Sequence, residues 1–172
     1  VTVCIPSYKS VKTIRSTLSS VLWQTFDDYR IDVGIEPTGE LQETIHVIKS
    51  FQDDRITIYA NETVLGWGTN VNRLLSRVRT EYFCILPHDD LLHPDYLRVL
   101  VAAIARDNDA VVAYSDMAYS GIESGFRSLP IEPGNTFSRL VSFYLGGAEA
   151  VPWRGVTRAS ILKEGLCFQD NA

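Results

Sequence analysis

Two adjacent carboxylates, Asp89 and Asp90, follow directly on the apolar run of residues 82–86. Neighbouring carboxylates at the end of a strand repel each other, and a hard divalent ion such as Mg²⁺ or Mn²⁺ would compensate their charge. Such an ion would also bridge the diphosphate of a substrate. The alternative is that the pair caps a helix beginning near Pro94, where the helix dipole favours negative charge. Taken alone, the pair does not decide between a metal site and a helix cap.

The elements that must position this pair can be predicted from the apolar pattern. Almost wholly apolar runs alternate with stretches of helical periodicity. This alternation predicts an α/β fold whose parallel sheet is covered by helices on both faces. The predicted strands cover residues 1–5, 31–35, 56–60, 82–86 and 110–115. The predicted helices cover residues 11–24 with Ser10 as N-cap, 41–51, the stretch through 71–78, and 94–104 with Pro94 in the first turn.

The alternation stops after Asp116. Residues 120–133 are rich in Gly, Ser and Pro, which predicts a hairpin or a mobile loop. A short helix over residues 135–145, a strand near 151–156 and a helix over 159–164 complete the prediction.

Polar segments follow several of the predicted strands. They are residues 6–9, 36–39, 87–90 and 115–116. In open α/β sheets, ligands bind outside the carboxyl ends of the strands. We therefore expect these four segments to meet in one ligand site.

Composition indicates an ordinary soluble domain that does not bind nucleic acid. Of the 172 residues, 45% are apolar and 22% are charged, and the net charge of −5 lacks the basic surface that phosphate backbones require. No apolar stretch approaches the roughly 20 residues that cross a bilayer. Cys4, Cys84 and Cys167 lie far apart and predict free thiols in a reducing compartment. We expect a cytoplasmic domain, with peripheral association at the inner face of the membrane left open, and a C-terminal part missing after Ala172.

Several motifs recur in a fixed order along the chain. A strand ends in residues 6–9 (Pro-Ser-Tyr-Lys), a helix ends in residues 20–25 (Ser-Val-Leu-Trp-Gln-Thr), and residues 88–97 carry His-Asp-Asp ahead of Pro-Asp-Tyr-Leu. Gly66 precedes Asn72 at the matching distance. Over nearly the whole chain, this series resembles the family 2 glycosyltransferases. The resemblance implies one GT-A domain over residues 1–172, a Rossmann-like α/β fold with a mostly parallel central sheet and helices on both faces.

The resemblance also implies a reaction and its site residues. The family takes a nucleoside-diphosphate sugar and transfers the sugar, with inversion, to a hydroxyl of a polysaccharide, lipid-linked or protein acceptor. Asp90 would coordinate Mn²⁺ or Mg²⁺, which acts as a Lewis acid on the leaving diphosphate. Residues 163–170 are similar to the family's segment that ends in an acidic base, so Asp170 would deprotonate the acceptor. The donor would be bound by Pro6, Ser7, Tyr8, Glu36, Gly66, Asn72 and Asp89.

The chain departs from the family pattern at three positions. Pro37 stands where a second carboxylate often recognises uracil, Pro87 replaces an Asp before the acidic pair, and Gln169 replaces a Glu before the base. These departures put a uridine donor in question and keep open a catalytically impaired binding module. A sugar nucleotidyltransferase is the other alternative, although it needs a phosphate loop rich in Gly and Arg where this chain has residues 6–10.

Other side chains leave two interpretations each. Asp116 would face the sugar or cap a turn. Trp153 and Arg154 would contact a sugar ring and a phosphate, or the tryptophan would pack under the C-terminal region. His88 and His93 are expected to be solvated loop histidines rather than ligands.

Overall fold

The computed structural model describes residues 1–121, 124–128 and 152–169. The described α-helices are α1 (Ile14–Leu22), α2 (Leu41–Lys49), α3 (Trp67–Leu75) and α4 (Tyr96–Ala105). The described strands are β1 (Thr2–Ser7), β2 (Arg30–Ile35), β3 (Ile56–Ala60), β4 (Tyr82–Ile85), β5 (Val112–Ala113), β6 (Met117–Tyr119), β7 (Gly125–Arg127) and β8 (Val156–Arg158). Two 3-10 segments, Pro152–Arg154 and Ala159–Glu164, flank β8.

The central sheet has the strand order β3-β2-β1-β4-β8-β5. Strands β3, β2, β1 and β4 are parallel, whereas β8 runs antiparallel to both of its neighbours. Every residue of β1 is buried, as expected for a central strand covered on both faces. The predicted α/β fold with a mostly parallel sheet is confirmed.

Helices lie on both faces because successive strand residues alternate between two cores. On one face, Ile14 and Leu18 of α1 pack with Leu97 of α4 against β1 and β2. On the other face, Val71 and Leu74 of α3 pack against β1 and β4. All five side chains are at most 1% exposed. Burying a side chain of this kind contributes about 1.5–3 kcal/mol.

A close approach between β2 and α3 depends on Gly34. A Cβ atom at this position would lie 2.5 Å from Asn70 Oδ1 and 3.2 Å from side-chain atoms of Leu74. The space is used by a hydrogen-bond network: Asn70 Nδ2 donates to Gly34 O at 2.9 Å, and Asn70 Oδ1 accepts from Asn61 Nδ2 at 3.1 Å. Asn70 thereby joins β2, the end of β3 and α3.

Helix starts differ from the prediction by two or three residues. The N-cap of α1 is Thr13 rather than Ser10, because Ser10 O accepts from both Thr13 N and Ile14 N in a preceding turn. Helix α4 begins at Tyr96, so Pro94 precedes the helix instead of lying in its first turn.

Predictions beyond residue 110 are mixed. Strand β5 has two residues where six were predicted, and the strand predicted near 151–156 is a 3-10 turn followed by β8. The hairpin interpretation of residues 120–133 is confirmed in part: β7 pairs with β6, which precedes this range, and residues 122–123 and 129–133 lie outside the described residues. The helix predicted over residues 135–145 lies outside the described residues. Within the described ranges, no helix has the length and apolarity to span a membrane.

Candidate active site

A first cavity of about 360 Å³ opens at the carboxyl ends of β1 and β2. It brings together five residues predicted to bind the donor: Pro6, Ser7, Tyr8, Glu36 and Gly66. Sequence reasoning missed the other lining residues, which are Val64, Trp67, Asn70 and His88. The residues after β1 and β2 converge because these strands are adjacent and parallel, with Ser7 opposite Ile35.

Glu36 is the charged residue of this wall, and only one of its carboxylate oxygens is paired. The residue is 3% exposed. Its Oε2 accepts from Leu65 N at 2.8 Å, while its Oε1 is buried without a hydrogen-bond partner in the described part of the chain. A buried carboxylate oxygen with no donor is costly. Glu36 therefore gives the wall of the first cavity one buried carboxylate oxygen that has no donor.

Helix α3 begins at the wall of the first cavity. Gly66 is its N-cap and has a φ of 84°, a conformation that a side chain would strain. This turn starts the helix at Trp67, whose side chain also lines the cavity. The positive end of the α3 dipole thus lies at the cavity, where it favours an anion such as a diphosphate.

His88 also lines the first cavity, contrary to its prediction as a solvated loop histidine. It is half-buried, and its Nδ1 lies 3.1 Å from Thr13 Oγ1. Its carbonyl accepts from Thr17 Oγ1 at 2.7 Å. His93 is exposed, as expected, but it also lines the cavity that contains Asp89 and Asp90.

A polar stripe on α1 and its flanks fixes the loop that carries the acidic pair. Thr13, Thr17, Ser20 and Gln24 recur at helical spacing and all hydrogen-bond residues 88–97. Gln24 makes the most extensive contact: its Nε2 donates to His93 O at 2.7 Å, and its Oε1 accepts from Leu97 N at 2.9 Å. The Gln-Thr motif therefore sets the position of the loop that follows β4. The helical spacing of these four polar residues, beside the apolar stripe of α1, was the sequence signal that could have identified this polar stripe.

A second cavity of about 480 Å³ lies on the other side of the same loop. Asp89 and Asp90 line it, together with Asp116 and Arg154. The acidic pair does not cap α4, whose N-cap is Asp95, so the helix-cap alternative is wrong. The four strand-end segments therefore meet around two neighbouring cavities, with His88 facing one and Asp89 facing the other.

Arg154 is held at the second cavity by three contacts. Its Nε donates to Asp90 Oδ2 at 2.9 Å, and its guanidinium lies 4.2 Å from the ring centroid of Trp153. Its carbonyl accepts from Tyr96 Oη at 2.7 Å. Burial raises the pKa of Tyr96, which remains a neutral donor. The Pro-Asp-Tyr-Leu motif thus positions Arg154 through its tyrosine.

Asp90 is suited to share a divalent ion with a substrate. Its side chain is 39% exposed and lines the second cavity. Mg²⁺ is commonly bound by one or two carboxylates together with substrate phosphates and waters. In the described ranges, no group of three or more His, Cys, Asp or Glu side chains could hold an ion. The adjacent carboxylates of Asp89 and Asp90 are the kind of oxygen donors that such an ion takes together with a substrate phosphate.

The family model for glycosyl transferase family 2 matches residues 2–166. The chain belongs to glycosyl transferase family 2. This membership identifies the region as a glycosyltransferase domain, in agreement with the resemblance carried by its motifs.

Named relatives of this family 2 domain are also glycosyltransferases. The amylovoran biosynthesis glycosyltransferase AmsB of Erwinia amylovora is 22% identical over 150 residues, covering 84% of this chain and 50% of the relative. The Escherichia coli UDP-Glc:alpha-D-GlcNAc-diphosphoundecaprenol beta-1,3-glucosyltransferase WfgD is 26% identical over 108 residues, covering 63% and 42%. The chain spans half or less of the length of these two relatives.

Solved structures share the fold of this family 2 domain. S. aureus TarS 1-349 in complex with UDP-GlcNAc matches with a TM-score of 0.75 at 20% identity, covering 95% of this chain and 46% of that one. The mannosyltransferase PcManGT of Pyrobaculum calidifontis, in complex with GDP-Man and Mn²⁺, matches with a TM-score of 0.59 at 20% identity, covering 64% and 33%. At these identities the likeness shows the GT-A fold alone.

The remaining predicted site residues of the family 2 domain lie elsewhere. Asn72 does not line the first cavity; both groups of its side-chain amide are bonded to the backbone of Phe168. Asp116 lines the second cavity and accepts from Ser128 Oγ at 3.2 Å. Trp153 packs edge-on against Trp67, which favours the packing interpretation of that tryptophan. Asp170, the predicted base, lies outside the described residues.

Proposed function

We propose that this domain transfers a sugar, with inversion, from a nucleoside-diphosphate sugar to a hydroxyl of a glycan or lipid-linked acceptor. The observation that carries the proposal is the first cavity, where Glu36 lies together with Pro6, Ser7, Tyr8 and Gly66. The Oε1 of this Glu36 is a buried acceptor without a partner among the described residues. This acceptor lies among residues that family resemblance assigns to the donor, one loop away from the acidic pair.

The nucleoside is proposed to occupy the first cavity. Tyr8 and Trp67 are 46% and 43% exposed there, which leaves aromatic surface for a base or ribose. Glu36 would accept a hydrogen bond from a base N–H or a ribose hydroxyl. The diphosphate would lie toward the N-terminus of α3 and the loop of the acidic pair.

A divalent ion, Mn²⁺ or Mg²⁺, is proposed to be held by Asp90 together with the diphosphate. When bound, it would supply Lewis-acid stabilisation of the charge on the leaving group. Asp89 would contact the ribose or the sugar. The Mn²⁺ complex of the structurally similar mannosyltransferase supports this part of the proposal.

Asp170 is proposed as the base. Its carboxylate would take the proton of the acceptor hydroxyl as that oxygen bonds to the anomeric carbon. The bond between the anomeric carbon and the diphosphate oxygen breaks, and its electron pair leaves with the diphosphate. Attack from the face opposite the leaving group inverts the anomeric centre.

The names of relatives guide the choice of donor and acceptor. WfgD uses UDP-Glc and a lipid-linked sugar, and TarS was crystallised with UDP-GlcNAc. A uridine diphosphate sugar is therefore our first candidate despite Pro37, and the GDP-Man complex makes guanosine the second. The proposal places the domain in the cytoplasm, at the inner face of the membrane if the acceptor is lipid-linked.

The first test is a thermal-shift screen of UDP, GDP, UDP-GlcNAc and GDP-mannose, with and without Mn²⁺, on the full-length protein. A ligand that binds only the native state raises the melting temperature by mass action. We expect one base to give a shift that is larger with Mn²⁺. Hydrolysis of the matching nucleotide sugar should follow, with water as the acceptor.

Variants then separate the roles. Asp90→Ala should abolish metal-dependent turnover, and Asp170→Asn should lower kcat by about 100-fold or more while nucleotide binding persists. Asp109→Asn is the matched control, because Asp109 is exposed and lines neither cavity. Release of pyrophosphate from a nucleoside triphosphate and a sugar phosphate would instead identify a nucleotidyltransferase. Nucleotide binding without turnover would identify a binding module.

A further inference from the structure

The side-chain amide of Asn72 forms two hydrogen bonds with the backbone of one residue in the C-terminal segment, Phe168. Its Nδ2 donates to Phe168 O at 2.7 Å, and its Oδ1 accepts from Phe168 N at 2.8 Å. The two residues are 96 positions apart in sequence. A side-chain amide that satisfies both backbone groups of one residue fixes the orientation of that residue as well as its position.

The same residue is held by its ring. Phe168 packs edge-on against Trp67, with ring centroids 5.4 Å apart. The ring centroid of Trp153 lies 6.4 Å from that of Phe168. Trp67 and Asn72 both belong to α3, so one helix contacts the ring and the backbone of Phe168 together. Trp67 is at the same time a wall of the first cavity.

Within the part of the chain that the structure describes, few other contacts hold residues 166–169. Residues 166–169 belong to no helix or strand, and of these four only Phe168 is half-buried while the others are exposed. The backbone bond from Leu166 N to Ile161 O is long, at 3.4 Å. Among the contacts of the described residues, those from α3 give residues 166–169 most of their positional restraint.

We propose that Asn72 is a positioning residue for the acceptor-activating base and not a donor ligand. This inference rests on the proposed function, in which Asp170 is that base. Asn72 holds the backbone of Phe168, two residues before the base. Trp67 contacts the ring of Phe168 and also lines the proposed nucleotide cavity. Since a misplacement of 1 Å can cost about 100-fold in rate, loss of this anchor reaches the chemistry without touching the donor.

The test compares Asn72→Ala with Arg73→Ala, a neighbouring exposed position on the same helix. The readout is hydrolysis of UDP-GlcNAc, or of GDP-mannose if the thermal screen selects guanosine, with Mn²⁺ and the full-length protein. We expect Asn72→Ala to lower kcat by about 10- to 100-fold. KM and the Kd of the nucleoside diphosphate should stay close to the wild-type values, and Arg73→Ala should match the wild type throughout.

Two further readouts separate positioning from a general loss of structure. Hydrogen exchange of the Phe168 amide should become faster in Asn72→Ala, while exchange in β1 and β4 stays unchanged. In the pH profile of kcat, the acidic limb that reports the base should flatten in this variant. Asn72→Asp keeps the acceptor for Phe168 N but places a carboxylate oxygen against Phe168 O. Because these two acceptors repel each other, the kcat of this variant should also fall below that of the wild type.

Different results would overturn different claims. A rise in the Kd of the nucleoside diphosphate with unchanged exchange at Phe168 would make Asn72 a donor ligand. Undiminished kcat in Asn72→Ala would remove the positioning role while leaving the proposed function intact. A wild-type protein that neither binds nor hydrolyses a nucleotide sugar would overturn the proposed function and the positioning role with it. If Asn72→Ala does not fold, Asn72→Asp decides by the same measurements.

Discussion

Arg154 forms an ion pair with Asp90, the carboxylate proposed to hold the metal, through a contact of 2.9 Å between Nε and Oδ2. The two side chains are 35% and 39% exposed. An ion pair with this exposure is worth only about 0.2–1 kcal/mol. The pair is therefore weak enough to be exchanged for a divalent ion and a diphosphate.

Removal of Arg154 should strengthen metal binding. Arg154→Met keeps aliphatic bulk beside Trp153 but leaves the Asp90 carboxylate without its cation. The affinity for Mn²⁺ in the presence of UDP should rise by about 1.5- to 5-fold, the equivalent of that pairing energy. Manganese paramagnetic resonance measures the free ion directly. Arg98→Met is the control, since Arg98 pairs with Asp95 on the surface. A several-fold loss of affinity would show that Arg154 assists the metal–nucleotide complex instead of competing with it.

Substitution of Glu36 by Gln should weaken nucleotide binding without destabilising the fold. The amide oxygen of Gln can accept from Leu65 N, while its NH₂ group replaces the unpartnered Oε1 of Glu36. A ligand donor would then face another donor, which costs about 1–3 kcal/mol, or a 5- to 150-fold rise in Kd. Isothermal titration with UDP and GDP measures the change, and thermal melting checks the fold.

Glu40→Gln is the matched control for this experiment. Glu40 also has a buried, unpaired carboxylate oxygen but does not line the first cavity. Equal nucleotide affinities in wild type and Glu36→Gln would show that Glu36 does not contact the nucleotide.

A methyl group at position 34 should destabilise the contact between β2 and α3. The added Cβ of Gly34→Ala would lie 2.5 Å from Asn70 Oδ1, so the network of Asn70 with Asn61 must shift. Overpacking of this kind costs about 1–3 kcal/mol in the free energy of unfolding. Urea denaturation measures it. Gly39→Ala is the control, because nothing lies within 4 Å of a Cβ at that position; equal stability of both variants would contradict the packing argument.

The sequence was sufficient to predict the sheet strands that carry the first cavity. The runs at residues 1–5, 31–35 and 82–86 are each followed by polar segments, so the shared carboxyl edge of these strands could be predicted. Strand β8 could not, because it inserts between β4 and β5 from far along the chain, with Arg158 opposite Tyr82. Only tertiary pairing places such a short strand.

Polar residues on helices were the harder part of the site. Asn70 is 2% exposed in the middle of α3. Its spacing from Leu74 places it on the buried face, but the sequence does not show which groups its side chain bonds. Asn72 was identified by the family motif, but as a donor ligand, whereas its partner in the structure is the backbone of Phe168. Hydrophobic periodicity locates helices and their buried faces, but it carries no information about the partner of a polar side chain.

Thiol reactivity provides a final check on the burial of the central strands. Cys4 and Cys84 are buried in β1 and β4, and Cys167 is exposed. Burial raises the pKa of Cys84 to about 12 and that of Cys4 well above its usual value. Because the thiolate is the reactive species, these two thiols should stay unmodified at pH 8. Native protein should therefore consume one equivalent of Ellman's reagent quickly and three only after denaturation. Cys167→Ser should remove the fast phase. A fast phase of two equivalents in the native protein would mean that β1 and β4 open to solvent. Such opening would contradict a rigid sheet beside the loop that carries Asp89 and Asp90.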